Sequence, residues 1–195
     1  MSVAQRKIGV LALQGDFREH MQTLSAIEAA PKEVRLPSDL EGLDGLIIPG
    51  GESTTISKLM AMYGLDKAIK ARHKKGMAIY GTCAGAIVIA KKVFGENRFK
   101  PLGLADLEIE RNAYGTQVDS FETELQTDGI GKVSAAFIRA PIIKRIGKNV
   151  KALAKYNGKV VLARQGNILI GTFHPEISGE LKVHRYFADM CAERK

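Results

Sequence analysis

Tryptophan is absent from this 195-residue sequence, and aromatic residues make up only 6% of it. Surfaces that bind nucleic acid by stacking interleave aromatic side chains with a basic stripe. Here the densest basic cluster, Lys67, Lys70, Arg72, Lys74 and Lys75, holds no Phe, Tyr or Trp, which argues against a nucleic-acid partner. Cysteine is nearly as scarce. Cys83 and Cys191 do not amount to a disulfide framework. Neither C-x-x-C nor H-x-x-x-H spacing occurs, so no metal is predicted. No apolar run reaches the roughly 18–20 residues of a membrane span. The start, MSVAQRK followed by IGVLAL, has too short an apolar stretch for a secretory signal, and the expected location is cytoplasmic. Internal repeats, low-complexity stretches and linkers are also missing.

What is present is ordinary for a globular protein: 45% hydrophobic and 26% charged residues. The length predicts one domain over residues 1–195. A domain of that size buries roughly 70% of its unfolded-chain surface and needs no covalent staple. The net charge of +8, from 29 Lys+Arg against 21 Asp+Glu, is the unusual number. Alone it points to nucleic acid, an acidic partner or an anionic substrate.

Apolar runs alternate with helix-period segments along the first half. Lys7–Leu13 reads as a buried strand, Asp16 as a helix N-cap, and Phe17, Met21, Leu24 and Ile27 as the apolar face of that helix. Strands are predicted at Val34–Leu36, Leu46–Ile48 and Met77–Tyr80. Ser53 or Thr54 is the expected cap of a second helix, Leu65–Lys75 a third ending at Gly76, and Ala84–Val93 a strongly apolar fourth. This rhythm predicts a mostly parallel sheet with helices on both faces. After Gly95 the pattern changes. Glu108–Tyr114, Gln117–Leu125 and Val133–Ile138 read as antiparallel or edge strands. Val150–Tyr156, Val160–Arg164 and Ile168–Phe173 form a meander turning at Asn157-Gly158 and at Gln165-Gly166-Asn167, before a final helix over Gly179–Arg194. The predicted class is α/β with an antiparallel extension.

Three segments could carry chemistry. Gly81-Thr82-Cys83-Ala84-Gly85 lies between a strand and a helix. A nucleophile there stands on a sharp turn, as the serine of G-x-S-x-G does, and the following helix N-terminus favours a thiolate. An inert cysteine in a buried small-residue turn fits the local spacing as well. His174-Pro175-Glu176 follows an apolar strand, and on extended backbone residues i and i+2 share a side. Glu176 could therefore orient His174, although an isolated H-P-E is more simply a strand-ending turn. Paired with Cys83, at the carboxyl ends of strands where open α/β sheets place their sites, the three make a nucleophile, a base and an orienter. The third segment, Pro49-Gly50-Gly51-Glu52-Ser53, offers backbone N–H groups to an oxyanion or anion, but a double glycine at such a turn is often steric only. His20, beside Glu19, is read as a solvated or interface residue, His73 as part of a solvated basic helix end, and Cys191 as core or surface of the last helix.

G-T-C-A-G, the later H-P-E and the P-G-G-E-S loop resemble the class I (triad) glutamine amidotransferases. IGVLALQGDFREH, GLIIPGGESTT, GTCAGAIVIAKK, ERNAYGTQVDSFE, FIRAP and TFHPE, in order, are similar to the glutaminase subunits of pyridoxal 5′-phosphate synthases, from about Lys7 to the last helix. The resemblance implies a three-layer, flavodoxin-like fold, no cofactor, and hydrolysis of L-glutamine to L-glutamate and ammonia. Cys83 would form a glutamyl thioester, His174 would serve as base and then acid, and Glu176 would orient it. Gly51 and Ala84 would hold the oxyanion, and Gly51, Glu52, Ser53, Arg111, Ile138 and Arg139 would contact glutamine. The ammonia would pass to a (β/α)8-barrel synthase subunit, with Gln14–His20 docking on it. Thr116 stands where the family pattern suggests an arginine. Two other readings were weighed: the glutaminase of another pathway, such as histidine biosynthesis, and a non-catalytic basic binding protein. The subunit-specific blocks and the lack of aromatics disfavour them in turn. The +8 charge then reads as substrate and partner electrostatics.

Overall fold

Residues 6–95, 98–111 and 120–193 are described by the structure, a computed structural model. Thr116 and the end of the predicted strand Glu108–Tyr114 lie outside them. In chain order the first half holds β1 (Lys7–Leu11), α1 (Phe17–Ala26), β2 (Ala30–Val34), β3 (Gly45–Ile48), α2 (Ser53–Met62), α3 (Leu65–Lys74), β4 (Ala78–Thr82) and α4 (Ala84–Ile89). The second half holds β5 (Ala90–Phe94), β6 (Ala105–Glu110), β7 (Phe121–Thr127), β8 (Gly131–Phe137), β9 (Ile142–Ile146), β10 (Lys151–Tyr156), β11 (Lys159–Gln165), β12 (Ile168–Gly171) and α5 (Lys182–Met190).

Seven strands make the main sheet in the order β10-β11-β12-β4-β3-β1-β2. The pairs β12–β4, β4–β3, β3–β1 and β1–β2 are parallel, whereas β10–β11 and β11–β12 are antiparallel. Central strands of such a sheet are covered on both faces, which is why their sequences are continuous apolar runs. Alternate residues divide between two cores. Leu46, Ile48, Ile79, Ile168 and Ile170 face the side covered by Ile56 and Met60 of α2, Leu65 and Ile69 of α3, and α4. Ile47, Ala78, Tyr80 and Leu169 face the side covered by Leu24 of α1, Val183 and Phe187 of α5, and the β7–β8 hairpin. A three-stranded sheet, β5-β6-β9, adds to the first side.

Several elements differ from the sequence reading. The second strand runs over Ala30–Val34 instead of Val34–Leu36, with Pro31 inside it. That proline is tolerated because β2 is the sheet edge, where a missing N–H breaks no ladder bond. Neither Ser53 nor Thr54 caps α2. Glu52 does, its carboxylate accepting from Thr55 N at 2.7 Å. The predicted helix Ala84–Val93 stops at Ile89 and becomes β5. The carbonyls of Val88, Ile89 and Ala90 are taken by the N–H groups of Leu102, Leu104 and Gly103 at 2.8–3.1 Å. Lys91 and Lys92 then face outward, pairing with Asp106 and Glu108 of β6. Here tertiary pairing overrides a helix-length apolar pattern. Strand β9, with Lys144 and Arg145 in its middle, was not anticipated; it exists by pairing with β6. Helix α5 is shorter than Gly179–Arg194, at Lys182–Met190.

Candidate active site

The ends of β3, β4 and β12 meet the loops that carry the three sequence motifs. Cys83 sits between β4 and α4 with φ 48° and ψ −103°, a backbone region that costs a non-glycine residue about 1–3 kcal/mol. Two bonds hold it there: Cys83 N donates to Gly171 O at 2.9 Å, and Ile87 N donates to Cys83 O at 3.2 Å. The flanking glycines are steric necessities. A Cβ on Gly85 would stand 1.9 Å from Ile48 O, and one on Gly81 would stand 2.7 Å from the Gly85 carbonyl carbon. Removing both side chains lets the turn fold tightly against β3 and present the sulfur outward. Cys83 Sγ lies 3.9 Å from the carbonyl of Ile138.

His174 follows β12 and is tied to β8 through His174 N donating to Ala136 O at 2.8 Å. Its Nδ1 meets Glu176 Oε1 at 2.7 Å. Both side chains are nearly inaccessible, at 4% and 0% exposure. Burial alone would lower the imidazole pKa. Hydrogen bonding to Cys83 and to Glu176, with the charges of both, instead raises it to about 10. Burial also raises the Glu176 pKa, against the pull of His174. The structure thus joins sulfur, imidazole and carboxylate in one chain, and it favours the proton on the imidazole.

The Pro49–Ser53 loop packs directly against this group. A Cβ on Gly50 would come within 2.4 Å of His174 Cε1. Gly51 has φ 143°, and a Cβ there would meet Gln14 Oε1 at 2.6 Å. Gln14 Oε1 accepts from Glu52 N at 2.7 Å, so the loop is braced by the segment after β1. Ala84 opens α4, placing its N–H among the first-turn donors that lack an intrahelical acceptor. Ser53 is buried and its hydroxyl has no hydrogen-bond partner among the described residues. Arg111 binds Glu52 Oε1 at 2.8 Å and Thr54 Oγ1 at 3.2 Å. Arg139 is exposed with φ 46°, beside Ile138. The Glu52 carboxyl, although burial pushes it up, is held below its ordinary pKa by the N–H groups of Thr55 and Thr54, the Thr55 hydroxyl and Arg111. Glu52→Ala should lower the stability by about 1 kcal/mol through the lost cap, and a thermal melt unchanged from the parent would contradict that role.

One histidine departs from the sequence reading. His20 is not solvated: it is completely buried, as is His184 of α5. Helical periodicity gave no warning, because each is polar in a position that faces the core. His73 is half-buried, its Nδ1 3.0 Å from Met77 O. Cys191 is core, and a Cβ on Gly45 would meet its sulfur at 2.5 Å. Asp16, His174 and Glu176 present donor atoms within 4.8 Å of one another, a set able to hold a cation that sequence spacing did not suggest. The His174–Glu176 hydrogen bond accounts for two of the three.

Burial, aided by the neighbouring imidazoles of His184 and His174, pushes the His20 pKa well below 6.5, and burial takes that of His184 to about 3. An unfolded chain protonates both near pH 6.5, while the folded chain keeps them neutral. Their stabilisation is therefore complete above pH 6.5 and is lost on acidification, each contributing a slope of about 1.4 kcal/mol per pH unit. Glu176, whose pKa burial raises, opposes part of this loss. His174 does not add to the loss, because its contribution is present below 6.5 and fades as pH rises towards about 10. Urea unfolding at about pH 6.5 and pH 5 should show a net loss of roughly 2 kcal/mol; equal stabilities would contradict a neutral buried pair.

Comparison with known proteins decides the family. Residues 10–193 match the SNO glutamine amidotransferase family. The chain belongs to that family. It is 49% identical over 185 residues to a pyridoxal 5′-phosphate synthase subunit PdxT of Thermus thermophilus, covering 94% of this chain and 97% of that protein. It is 51% identical over 193 residues to a protein of the same description from Dehalococcoides mccartyi, covering 97% and 99%. A crystal structure of a glutamine amidotransferase superposes with a TM-score of 0.92 at 47% identity, covering 95% of this chain and 98% of that one. The α/β glutamine amidotransferase fold is thereby shown, as is an enzyme of glutamine amide chemistry. Among the described residues no helix is long and apolar enough to cross a membrane.

Proposed function

We propose that this glutamine amidotransferase hydrolyses L-glutamine to L-glutamate and ammonia as the glutaminase subunit of a pyridoxal 5′-phosphate synthase. The observation that carries the reading is the 2.7 Å contact of His174 Nδ1 with the buried Glu176 carboxylate, in an imidazole whose pKa Cys83 and Glu176 together raise to about 10, with Cys83 itself on a strained turn. Cys83 would attack the side-chain amide carbon as a thiolate. Gly51 and Ala84 N–H groups would hold the tetrahedral oxyanion, each donor being worth roughly 3–4 kcal/mol. Collapse expels ammonia, which takes its proton from His174, and leaves a glutamyl thioester on Cys83. His174 then removes a proton from water as it attacks the thioester, releasing glutamate and the sulfur. Glu176 keeps His174 in the required tautomer.

Glutamine carries a carboxylate that wants cations and an ammonium that wants acceptors. Arg111, Glu52, Ser53, Arg139 and the backbone at Gly51 and Ile138 would supply both kinds. The unpartnered Ser53 hydroxyl suits such a ligand, because a buried hydroxyl left unpaired is costly. Ammonia would pass to the barrel synthase subunit, docked near Gln14–His20, in the cytoplasm. Residues 1–195 would act as one amidotransferase domain. Mixing the chain with a synthase subunit and glutamine tests this by measuring glutamate. Release above that of either component supports the assignment, and none would overturn it.

A further inference from the structure

Behind Glu176 lies a polar group of atoms that the thioester chemistry does not use. His20 of α1, His184 of α5 and Thr82 of β4 are each completely buried. His20 Nδ1 stands 2.8 Å from His184 Nε2, and His20 Nε2 stands 3.1 Å from Thr82 Oγ1. The same Nε2 is 3.5 Å from Glu176 Oε1, the oxygen that holds His174. One carboxylate oxygen therefore sits between two imidazoles from different elements.

The tautomers follow from charge. A proton on His20 Nδ1 would leave a bare lone pair on Nε2 facing an ionised carboxylate. A proton on Nε2 faces that carboxylate and the Thr82 hydroxyl instead, and Nδ1 must then accept. That arrangement has His184 donating from Nε2 to His20 Nδ1 and leaves His184 Nδ1 bare. The reverse arrangement, with His184 donating from Nδ1 to the Glu180 carbonyl, would turn a bare His20 Nε2 towards the Glu176 carboxylate, and that charge decides between the two. Other groups facing Glu176 are His174 on its own segment, Asp16 ahead of α1 and Tyr80 of β4. Asp16 and Tyr80 bring no cation to it.

We propose that His20, fixed in its Nε2–H tautomer by His184, is a positioning residue for Glu176: it gives Oε1 a second N–H and so keeps the buried carboxylate ionised and aimed at His174. This rests on the Cys83–His174–Glu176 reading above. It also makes α1, whose start borders the Gly50 loop, a structural support of the base.

Histidine-selective nitrogen-15 NMR of the whole chain tests the tautomer directly. A neutral Nε2–H form at His20 is expected, and a neutral Nδ1–H form overturns the proposal. The second arm is the pH profile of kcat/KM for glutamate release with the synthase subunit present. His20→Leu should lower kcat about tenfold with a smaller change in KM, and should move the acid limb up by about one pH unit. His20→Gln, which restores an N–H donor, should recover most of both. If His20→Leu does not fold, His184→Leu should move the limb in the same direction. A wild-type acid limb in a folded variant overturns the proposal. Glu176→Gln separates the two readings: wild-type activity there removes the triad itself, whereas an inactive Glu176→Gln beside an unshifted His20→Leu removes only the role of His20.

Discussion

Cys83→Ala, in the presence of the synthase subunit, should lose at least about 10⁴-fold in glutamate release while keeping the parent fold. Removing the nucleophile of a covalent mechanism leaves only binding and oxyanion stabilisation, and comparable nucleophile deletions cost up to about 10⁶ in kcat. The fold should survive because the substitution leaves the backbone bonds of Cys83 to Gly171 and Ile87 in place. Alanine keeps the unfavourable φ of 48° and removes one buried sulfur atom. Circular dichroism and thermal unfolding, run beside the glutamate assay, check both halves. Substantial activity in a folded Cys83→Ala protein would leave the site without its nucleophile.

Gly85→Ala should have a large structural effect for a single methyl. The added carbon would lie 1.9 Å from Ile48 O, 2.7 Å from the Ile48 carbonyl carbon and 3.2 Å from Pro49 O. These are backbone atoms of β3 and of the loop after it, so no flexible side chain can swing aside. Relief requires α4 to move off the sheet, which would pull Cys83 and Ala84 away from the Gly51 loop. A penalty of about 3–5 kcal/mol, or failure to fold, is expected, in the range reserved for core overpacking and backbone strain. Urea denaturation measures it. Gly95→Ala is the control: that glycine, unlike Gly85, has positive φ, but a Cβ there would meet nothing within 4 Å, so its cost should stay near 1 kcal/mol. Equal costs at the two positions would remove the close approach as the reason for the second glycine of G-T-C-A-G.

The sequence was most informative where a residue has one structural solution. The apolar runs at β1, β3, β4 and β12, the glycine turns of the β10–β11–β12 meander, and the elbow at Cys83 are legible because burial on two faces, φ > 0 and close backbone approach restrict the choice of residue. The reading was weaker where partners distant in sequence decide. Ala90–Phe94 carries a helical apolar pattern, yet its hydrogen bonds go to Ala105–Glu110 and nothing local announces that. Strand β9 is half charged and depends on the same partner. Glu52 caps α2 because its side chain can also reach Arg111, which lies 59 residues away. His20 was the largest miss. It sits next to Glu19 on a helix and reads as surface, but its neighbours Thr82, Glu176 and His184 come from three other elements. A polar residue with partners on its buried side cannot be told from a solvated one by periodicity alone.

The charge excess also has a more definite place. Surface pairs with nearby carboxylates, such as Lys91–Asp106, Lys144–Glu110 and Lys151–Asp128, cancel in the net charge, so the excess lies in the basic residues outside such pairs. Arg111 is bound to Glu52 of the Pro49–Ser53 loop.

The central claim is that Cys83 is the atom glutamine acylates. Treating the chain, with its synthase subunit, with an electrophilic glutamine analogue and mapping the adduct by mass spectrometry of peptides tests it most directly. The expected result is one adduct on Cys83, prevented by excess glutamine and absent from Cys83→Ala. Labelling at Cys191 with Cys83 unmodified, or labelling that glutamine does not prevent, would contradict the account.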